Sequence, residues 1–340
     1  MKQRKKQAAE RGAPRNLSYL ESVTVSAASL RDYSRRLGYF IEWARGAGKR
    51  WASYPELDET LCEYFDERFF AGWTSDEGAK VLASLAYHDP QLHKAVNLML
   101  PRASRALRGW TKVGPADQRL PFPWCLLVLV IEDFVRRKLP AHAICLVIQW
   151  SAYLRPGEAT SLKVMQLVAP VRGAAPPYDQ WAVNIAPFEL EKPAKTGLWD
   201  ESVTLDNLTW AHPVLSTLVE GRSPEEALWP FDLTELSKEF QCSVERWQLA
   251  HLRPTLYAVR HSGASEDFLR RKRSLEEIQR RGRWRTSMSV RRYTKEAKLL
   301  SELHKVSPKV LEYSAFVESQ IARLFTEPRA VATFAEWSHV

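Results

Sequence analysis

Two short groups of residues just after the middle of the sequence can act on a phosphate. In the first, Pro156 can begin a helix and hold Arg155 extended, so that its guanidinium points into a cleft while Glu158 orients it. In the second, Lys195 lies in a turn between two strand-like segments, where its ammonium group can protonate a leaving oxygen. The alternatives are an ordinary surface Arg–Glu pair and a solubilising lysine at a hairpin tip.

A third group lies at the start of a predicted helix. Thr255 can cap this helix, which places Tyr257 and Arg260 three residues apart on one face. Leu256 and Val259 have the same spacing and are predicted to face the core. The alternative is a helix that presents its tyrosine and arginine to solvent.

A fourth group, Gly282 with Trp284, follows a second short helix. Ser274 and Glu277 form the pattern of a capping box, and the helix should end at Gly282, which we expect in the left-handed conformation. Trp284 then begins a loop, where its indole can donate to a phosphate or wall a pocket. Core packing is the alternative for this tryptophan.

The fifth group is Tyr293 with its basic neighbours Arg291, Arg292 and Lys295. Cations lower the cost of forming a phenolate, so a tyrosine in a phosphate pocket becomes a nucleophile. The alternative is a surface aromatic residue. Because Lys and Arg fill 49 of 340 positions, each group alone is weak, and only the ordered set of five indicates a function.

Charge and periodicity indicate how the chain positions these groups. The net charge of +9 is concentrated in 1–15 and 270–298, which suits a polyanion such as nucleic acid. Apolar spacing predicts helices near 29–46, 57–71, 76–88, 91–99 and 101–110, and later near 124–138 and 141–153. Ser29 and Asp32 resemble a capping box at the first of them. Residues 181–185 and 202–205 read as short strands.

The predicted fold class is mostly α with a small β-sheet or hairpin, an α+β protein. The predicted organisation is a basic arm at 1–17, a helical domain at 18–112, a proline-containing linker at 113–123, a second domain at 124–315 and a C-terminal tail at 316–340. No apolar run reaches the roughly 18 residues that span a bilayer, and no secretory signal is visible, so the sequence predicts a soluble intracellular protein.

The ordered set resembles the catalytic domain of the tyrosine recombinase (phage integrase) family, including recombinases of mobile elements, over about residues 124–298. Arg155 with Glu158 matches the family's first motif, and Lys195 matches its hairpin lysine. Tyr257, Arg260 and His261 match its second motif, His-x-x-Arg-His, with Tyr257 where histidine or lysine is usual. Gly282 and Trp284 match the next element, and the family's nucleophilic tyrosine follows nine residues later, as Tyr293 follows Trp284.

The resemblance implies a site-specific recombinase or integrase that joins DNA to tyrosine through a 3′-phosphotyrosyl linkage, without a cofactor, ATP or metal. Its catalytic residues would be Arg155, Lys195, Tyr257, Arg260, Trp284 and Tyr293, supported by Glu158 and His261. Phosphate contacts to the DNA are expected from Arg283, Arg285, Arg291 and Arg292. Residues 18–112 would form a helical core-binding domain.

The implied partners are double-stranded DNA and further copies of the chain, assembled as dimers or tetramers on paired sites, with residues 299–325 docking on a neighbour. The expected location is the nucleus of a eukaryote, otherwise the cytoplasm or nucleoid. The scattered cysteines predict neither disulfides nor a zinc site. Three alternatives stay open: a domesticated DNA-binding protein that no longer cuts, a helical interaction scaffold, and a monomeric enzyme that relaxes DNA like a type IB topoisomerase.

Overall fold

The structure is a computed structural model, and it describes residues 18–22, 24–93, 99–114, 120–176, 178–191, 198–285 and 296–339. The chain divides into two compact units, Met1–Gln118 and Arg119–Val340. The described residues are mostly helical, with one small antiparallel sheet, as the composition and periodicity predict.

The first unit is helical throughout its described residues. Its helices are α1 (Tyr19–Ser22), α2 (Ala27–Gly46), α3 (Tyr54–Phe70), α4 (Asp76–His88) and α5 (Pro101–Val113), with a 3-10 turn at Pro90–Leu92. The predicted capping box at Ser29 is wrong: Ser26 caps α2 and accepts from the Ser29 backbone N–H, so the helix starts two residues before the predicted position. Where the predicted helix 91–99 should begin, the structure has only the 3-10 turn at 90–92. Residues 94–98 lie outside the described residues.

The second unit is built from longer and more deeply buried elements. Its helices are α6 (Trp124–Arg136), α7 (Pro140–Ser151), α8 (Pro156–Thr160), α9 (His212–Val219), α10 (Leu233–Arg246), α11 (Leu256–Leu269), α12 (Leu275–Arg281), α13 (Glu296–Leu303), α14 (Pro308–Ser319), α15 (Ile321–Thr326) and α16 (Phe334–Trp337). Short 3-10 turns occupy Val164–Gln166, Phe188–Leu190, Thr209–Ala211, Ala250–Leu252 and Pro328–Ala330.

The sheet of this unit has the strand order β1 (Leu167–Val168), β2 (Ala182–Asn184) and β3 (Ser202–Thr204), with both pairs antiparallel. The two predicted strands contain β2 and β3. The sequence did not predict β1, because a two-residue strand carries no alternating pattern. Val183 faces the core and pairs with Val203.

Helices α6 and α7 form the centre of the core, and α11 packs directly against α7. A Cβ added at Gly263 in α11 would overlap the Trp150 carbonyl oxygen and lie 2.9 Å from the Tyr153 ring. Glycine at this point therefore lets α11 approach the end of α7, where Arg155 follows. This contact fixes the distance between the first and third groups of candidate residues.

The segment predicted as a C-terminal tail is helical and packs into the same core, since α14 runs across the predicted boundary at 315. Tyr313 donates from its hydroxyl to Glu132 Oε1 at 3.1 Å, and Val317 and Leu324 are buried. Arg136 donates to two backbone carbonyls, at 328 and 331. Of the helices in the described ranges, none has the length and apolar character needed to cross a bilayer.

Candidate functional site

Arg155 lies at the corner between α7 and α8. Its backbone is extended (φ −66°, ψ 148°) and Pro156 occupies the first turn of α8, both as predicted. Glu158 accepts the Arg155 backbone N–H at 2.8 Å and also accepts from Arg155 Nη1. The carboxylate therefore fixes both the start of the helix and the direction of the guanidinium, which stays partly exposed.

Arg260 is the largest fully buried side chain of the described chain. Thr255 caps α11, as predicted, by accepting from the backbone N–H three residues on. Arg260 Nη1 donates to the Tyr153 carbonyl at 2.5 Å and lies 3.6 Å from Glu158 Oε2, while Nη2 donates to the Gly282 carbonyl. One guanidinium thus joins the Arg155 corner to the loop that holds Trp284. The alternative in which α11 presents this arginine to solvent is wrong.

Arg283 contacts the same carboxylate, although it lies far from Glu158 in sequence. Its Nη2 donates to Glu158 Oε2 at 2.8 Å and to the Tyr153 carbonyl at 3.2 Å. Only 3% of its side chain is exposed, although the sequence suggested a surface contact to the DNA backbone. Arginine is mostly exposed in proteins, so the sequence predicts exposure for every arginine of this segment. Nothing in the pattern distinguishes Arg283 from its exposed neighbours.

Trp284 covers this group of arginines. The Arg260 guanidinium carbon lies 5.0 Å from the centre of its ring, and the rings of Tyr153 and His261 lie 6.1 Å away in stacked orientation. The indole therefore forms a wall of the site and makes a cation–π contact, which desolvation strengthens.

The predicted left-handed conformation of Gly282 is wrong. Its φ is −79°, and Arg283 takes the left-handed position with φ 53°. Glycine is needed for another reason: a Cβ there would lie 2.5 Å from Trp284 Cη2 and would overlap two further ring carbons. The predicted capping box of Ser274 and Glu277 is confirmed, as is the end of α12 at residue 281.

Tyr257 and His261 lie on the outer side of this group. Tyr257 is 38% exposed, and its ring lies 4.8 Å from that of His261, which is buried between Tyr257 and Trp284. A hydroxyl at this place can donate a hydrogen bond to a phosphate oxygen.

A second layer of charged residues holds the corner in place, and the sequence reasoning did not find it. The Tyr153 hydroxyl contacts Asp267 Oδ2, which also accepts from Arg273 Nε at 2.7 Å, and Arg273 in turn bonds both oxygens of Asp206. Arg281 donates to backbone carbonyls at the ends of α7 and β3. The dense arginines of 270–283 are the only signal of this layer in the sequence, and by themselves they indicate only positive charge.

The electrostatics favour an added anion. Burial, and then the charges of Arg283 and Arg155, lower the pKa of Arg260 to about 10, so it remains charged at neutral pH. Burial alone would raise the pKa of Glu158, but Arg283 and the hydrogen bonds from Arg155 hold it below its ordinary value. Three guanidiniums and one carboxylate leave two positive charges on these four side chains.

The remaining candidates fall into two classes. Arg285 is exposed and lines an open cleft beside Arg283 and Trp284. Lys195, Arg291, Arg292 and Tyr293 lie outside the described residues, so their predicted roles stay predictions. The structure therefore brings together the first, third and fourth groups of the sequence.

Comparison with known proteins adds no identification, since no family model matches the chain and no curated protein matches it significantly. Within the described ranges, no group of three or more His, Cys, Asp or Glu side chains is arranged to hold a metal ion.

Proposed function

We propose that this protein is a site-specific DNA recombinase or integrase that cleaves and rejoins strands through a 3′-phosphotyrosyl intermediate. One observation carries the proposal. Arg155 and Arg260, more than a hundred residues apart in sequence, converge on the Glu158 carboxylate beneath the Trp284 ring. This is the grouping that the resemblance to tyrosine recombinases implies.

The two guanidiniums suit a phosphodiester under attack. Negative charge builds on the non-bridging oxygens of five-coordinate phosphorus, and planar paired N–H donors match that geometry. Donors that are fixed before the reaction contribute most, because no reorganisation is needed when charge develops. Glu158 and the backbone carbonyls of Tyr153 and Gly282 provide that fixation here.

The proposed reaction uses Tyr293 as nucleophile and Lys195 as acid, both by resemblance. The Tyr293 oxygen forms a bond to phosphorus as its proton leaves to solvent, the bond from phosphorus to the 5′ oxygen breaks, and that oxygen takes a proton from Lys195. The ester retains the bond energy, so a 5′-hydroxyl from the same or another strand can reverse the step. No ATP or metal enters this scheme.

Binding to double-stranded DNA would come from phosphate contacts by Arg285, Arg291 and Arg292 and by the basic arm at 1–17. Such contacts give an affinity that falls steeply with salt. Assembly of several copies on paired sites, with 299–325 reaching a neighbour, belongs to the same proposal. In the described chain, residues of α14 and α15 pack on the core of their own chain. These helices would have to detach from that core before they could dock on a neighbouring copy.

A second candidate is a DNA-binding protein of the same fold that no longer cuts. The burial of Arg260 favours it, because both Nη atoms already donate to backbone carbonyls. Tyr257 at the place of a histidine or lysine favours it as well. This candidate predicts salt-sensitive DNA binding without any covalent complex.

Incubation with nicked suicide DNA distinguishes the two candidates. The cutting enzyme gives a covalent protein–DNA band that Tyr293→Phe abolishes and that Arg155→Ala or Arg260→Ala reduces by about 100-fold or more. Tyr178→Phe is the matched control, because Tyr178 is an exposed tyrosine outside the site and should leave the band unchanged. Intact DNA binding with no band on any nicked DNA would instead establish the second candidate.

A further inference from the structure

Arg283 has an unusual conformation for an arginine. It follows α12 with φ 53°, in the left-handed region that glycine adopts without cost, yet its long side chain folds inward. Arg271 has the same φ of 53° in the turn after α11, and its side chain is exposed. The turn itself therefore does not require a buried guanidinium, and the burial of Arg283 needs another cause.

The guanidinium of Arg283 has donors that no group in the described part of the chain uses. Its Nε and Nη1 are buried without a hydrogen-bond partner, and so is Nε of Arg260. A buried donor without a partner is unfavourable, and buried donors are paired in nearly all native proteins. Both guanidiniums also bond the Tyr153 carbonyl and lie against Glu158 Oε2, so the two guanidiniums lie close together.

We infer that Arg283 supplies a third guanidinium for one phosphate group, together with Arg155 and Arg260. The inference rests on the proposed function and adds a phosphate-binding residue to it. The ligand class is a tetrahedral phosphate, in the proposed reaction the phosphodiester that is cut. The net charge of two on Arg155, Arg260, Arg283 and Glu158 matches the two negative charges that five-coordinate phosphorus carries.

Access is available from one side. Arg283 lines an open cleft with Trp284 and Arg285, so an anion in that cleft lies beside Arg283, and the Arg155 guanidinium, on the same Glu158 carboxylate, is partly exposed. A purely structural role is the competing explanation, because Arg283 Nη2 bonds Glu158 and the Tyr153 carbonyl. A structural residue changes stability equally with and without an anion, whereas a phosphate-binding residue changes the response to the anion.

The test measures thermal unfolding of the full chain during titration with inorganic phosphate, against chloride at equal ionic strength. Phosphate should stabilise the wild-type protein by mass action. In Arg283→Met the apparent affinity for phosphate should fall by about 10- to 100-fold, as expected for a lost charge-assisted hydrogen bond, and Arg283→Lys should recover part of it. Arg271→Met, with the same charge loss and the same φ, should respond to phosphate like the wild type.

Comparing each variant with and without phosphate removes the effect of any general loss of stability. A wild-type phosphate response in Arg283→Met overturns the inference, and so does a wild-type protein that chloride and phosphate stabilise equally. The covalent assay on nicked DNA is a separate measurement. If wild type forms no covalent complex but responds to phosphate through Arg283, the proposed cutting fails while the phosphate site stands.

Discussion

Gly282→Ala tests whether the position of Trp284 depends on a missing side chain. The alanine Cβ would lie 2.5 Å from Trp284 Cη2, whereas ordinary contact begins at 3.4 Å, so the ring must move by about 1 Å or more. The backbone at φ −79° accepts alanine without strain. The whole effect should therefore come from the displaced ring.

The expected cost is about 2–4 kcal/mol. Overpacking of this kind costs about 1–3 kcal/mol, and loss of the desolvated contact between Arg260 and Trp284 adds up to about 2 kcal/mol. For a unit of this size, the Tm should fall by roughly 4–16 °C. Gly157→Ala is the matched control, because nothing lies within 4 Å of its added Cβ, and we expect it to be neutral or slightly stabilising.

A double-mutant cycle separates the effect of the Trp284 ring from that of the backbone. Trp284→Ala removes the ring, so adding Gly282→Ala to it should cost almost nothing if the clash is the cause. The measurement is urea or thermal unfolding of all four proteins. An equal loss of stability from Gly282→Ala in both backgrounds would refute the explanation, because the backbone rather than the ring would then be responsible.

Four further predictions address the packing, the charge and the chemistry. Gly263→Ala should cost about 3 kcal/mol or more in thermal unfolding, since its Cβ meets a backbone carbonyl that cannot rotate away, and a smaller loss would contradict the close approach of the two helices. Glu158→Gln should cost about 3 kcal/mol at pH 7. The pKa of Glu158 is lowered in the folded protein, so its contribution to stability is present above the unfolded pKa of about 4.3 and is lost as the pH falls through the folded pKa. In urea unfolding, the free energies of unfolding of the wild type and the variant should therefore become equal in acid. Deletion of 1–17, with its six Lys and Arg, should reduce the slope of log affinity for DNA against log salt by about 5, and an unchanged slope in a filter-binding titration would exclude the arm from the contact. Tyr257→His should speed covalent complex formation near neutral pH, where imidazole titrates, and the rate against pH should acquire an inflection near 6.5.

The starts of the helices around the site followed from sequence. Thr255, the pair Ser274 and Glu277, and the Pro156 corner each cap or begin a helix as predicted, because capping depends on residues within a single turn. The contact between Arg155 and Glu158 followed from the same short spacing.

Features that depend on distant residues were not predictable. The sequence predicts a surface position for Arg283, and only the folded chain shows that its guanidinium turns inward to Glu158. Gly282 follows its helix as the sequence predicts, but it is needed for a different physical reason. The Trp284 ring, two residues later, leaves no room for a Cβ at this position. The link from Tyr153 to Asp267 joins residues more than a hundred positions apart, and no spacing rule indicates it.

In the proposed reaction, a tyrosine of this chain becomes bonded to DNA beside Arg155 and Arg260. Protease digestion of a trapped complex, followed by mass spectrometry, identifies the modified residue directly. We expect a peptide that carries a nucleotide 3′-phosphate on Tyr293. Attachment to a different residue, or no attached peptide from a protein that binds the same DNA tightly, would contradict it.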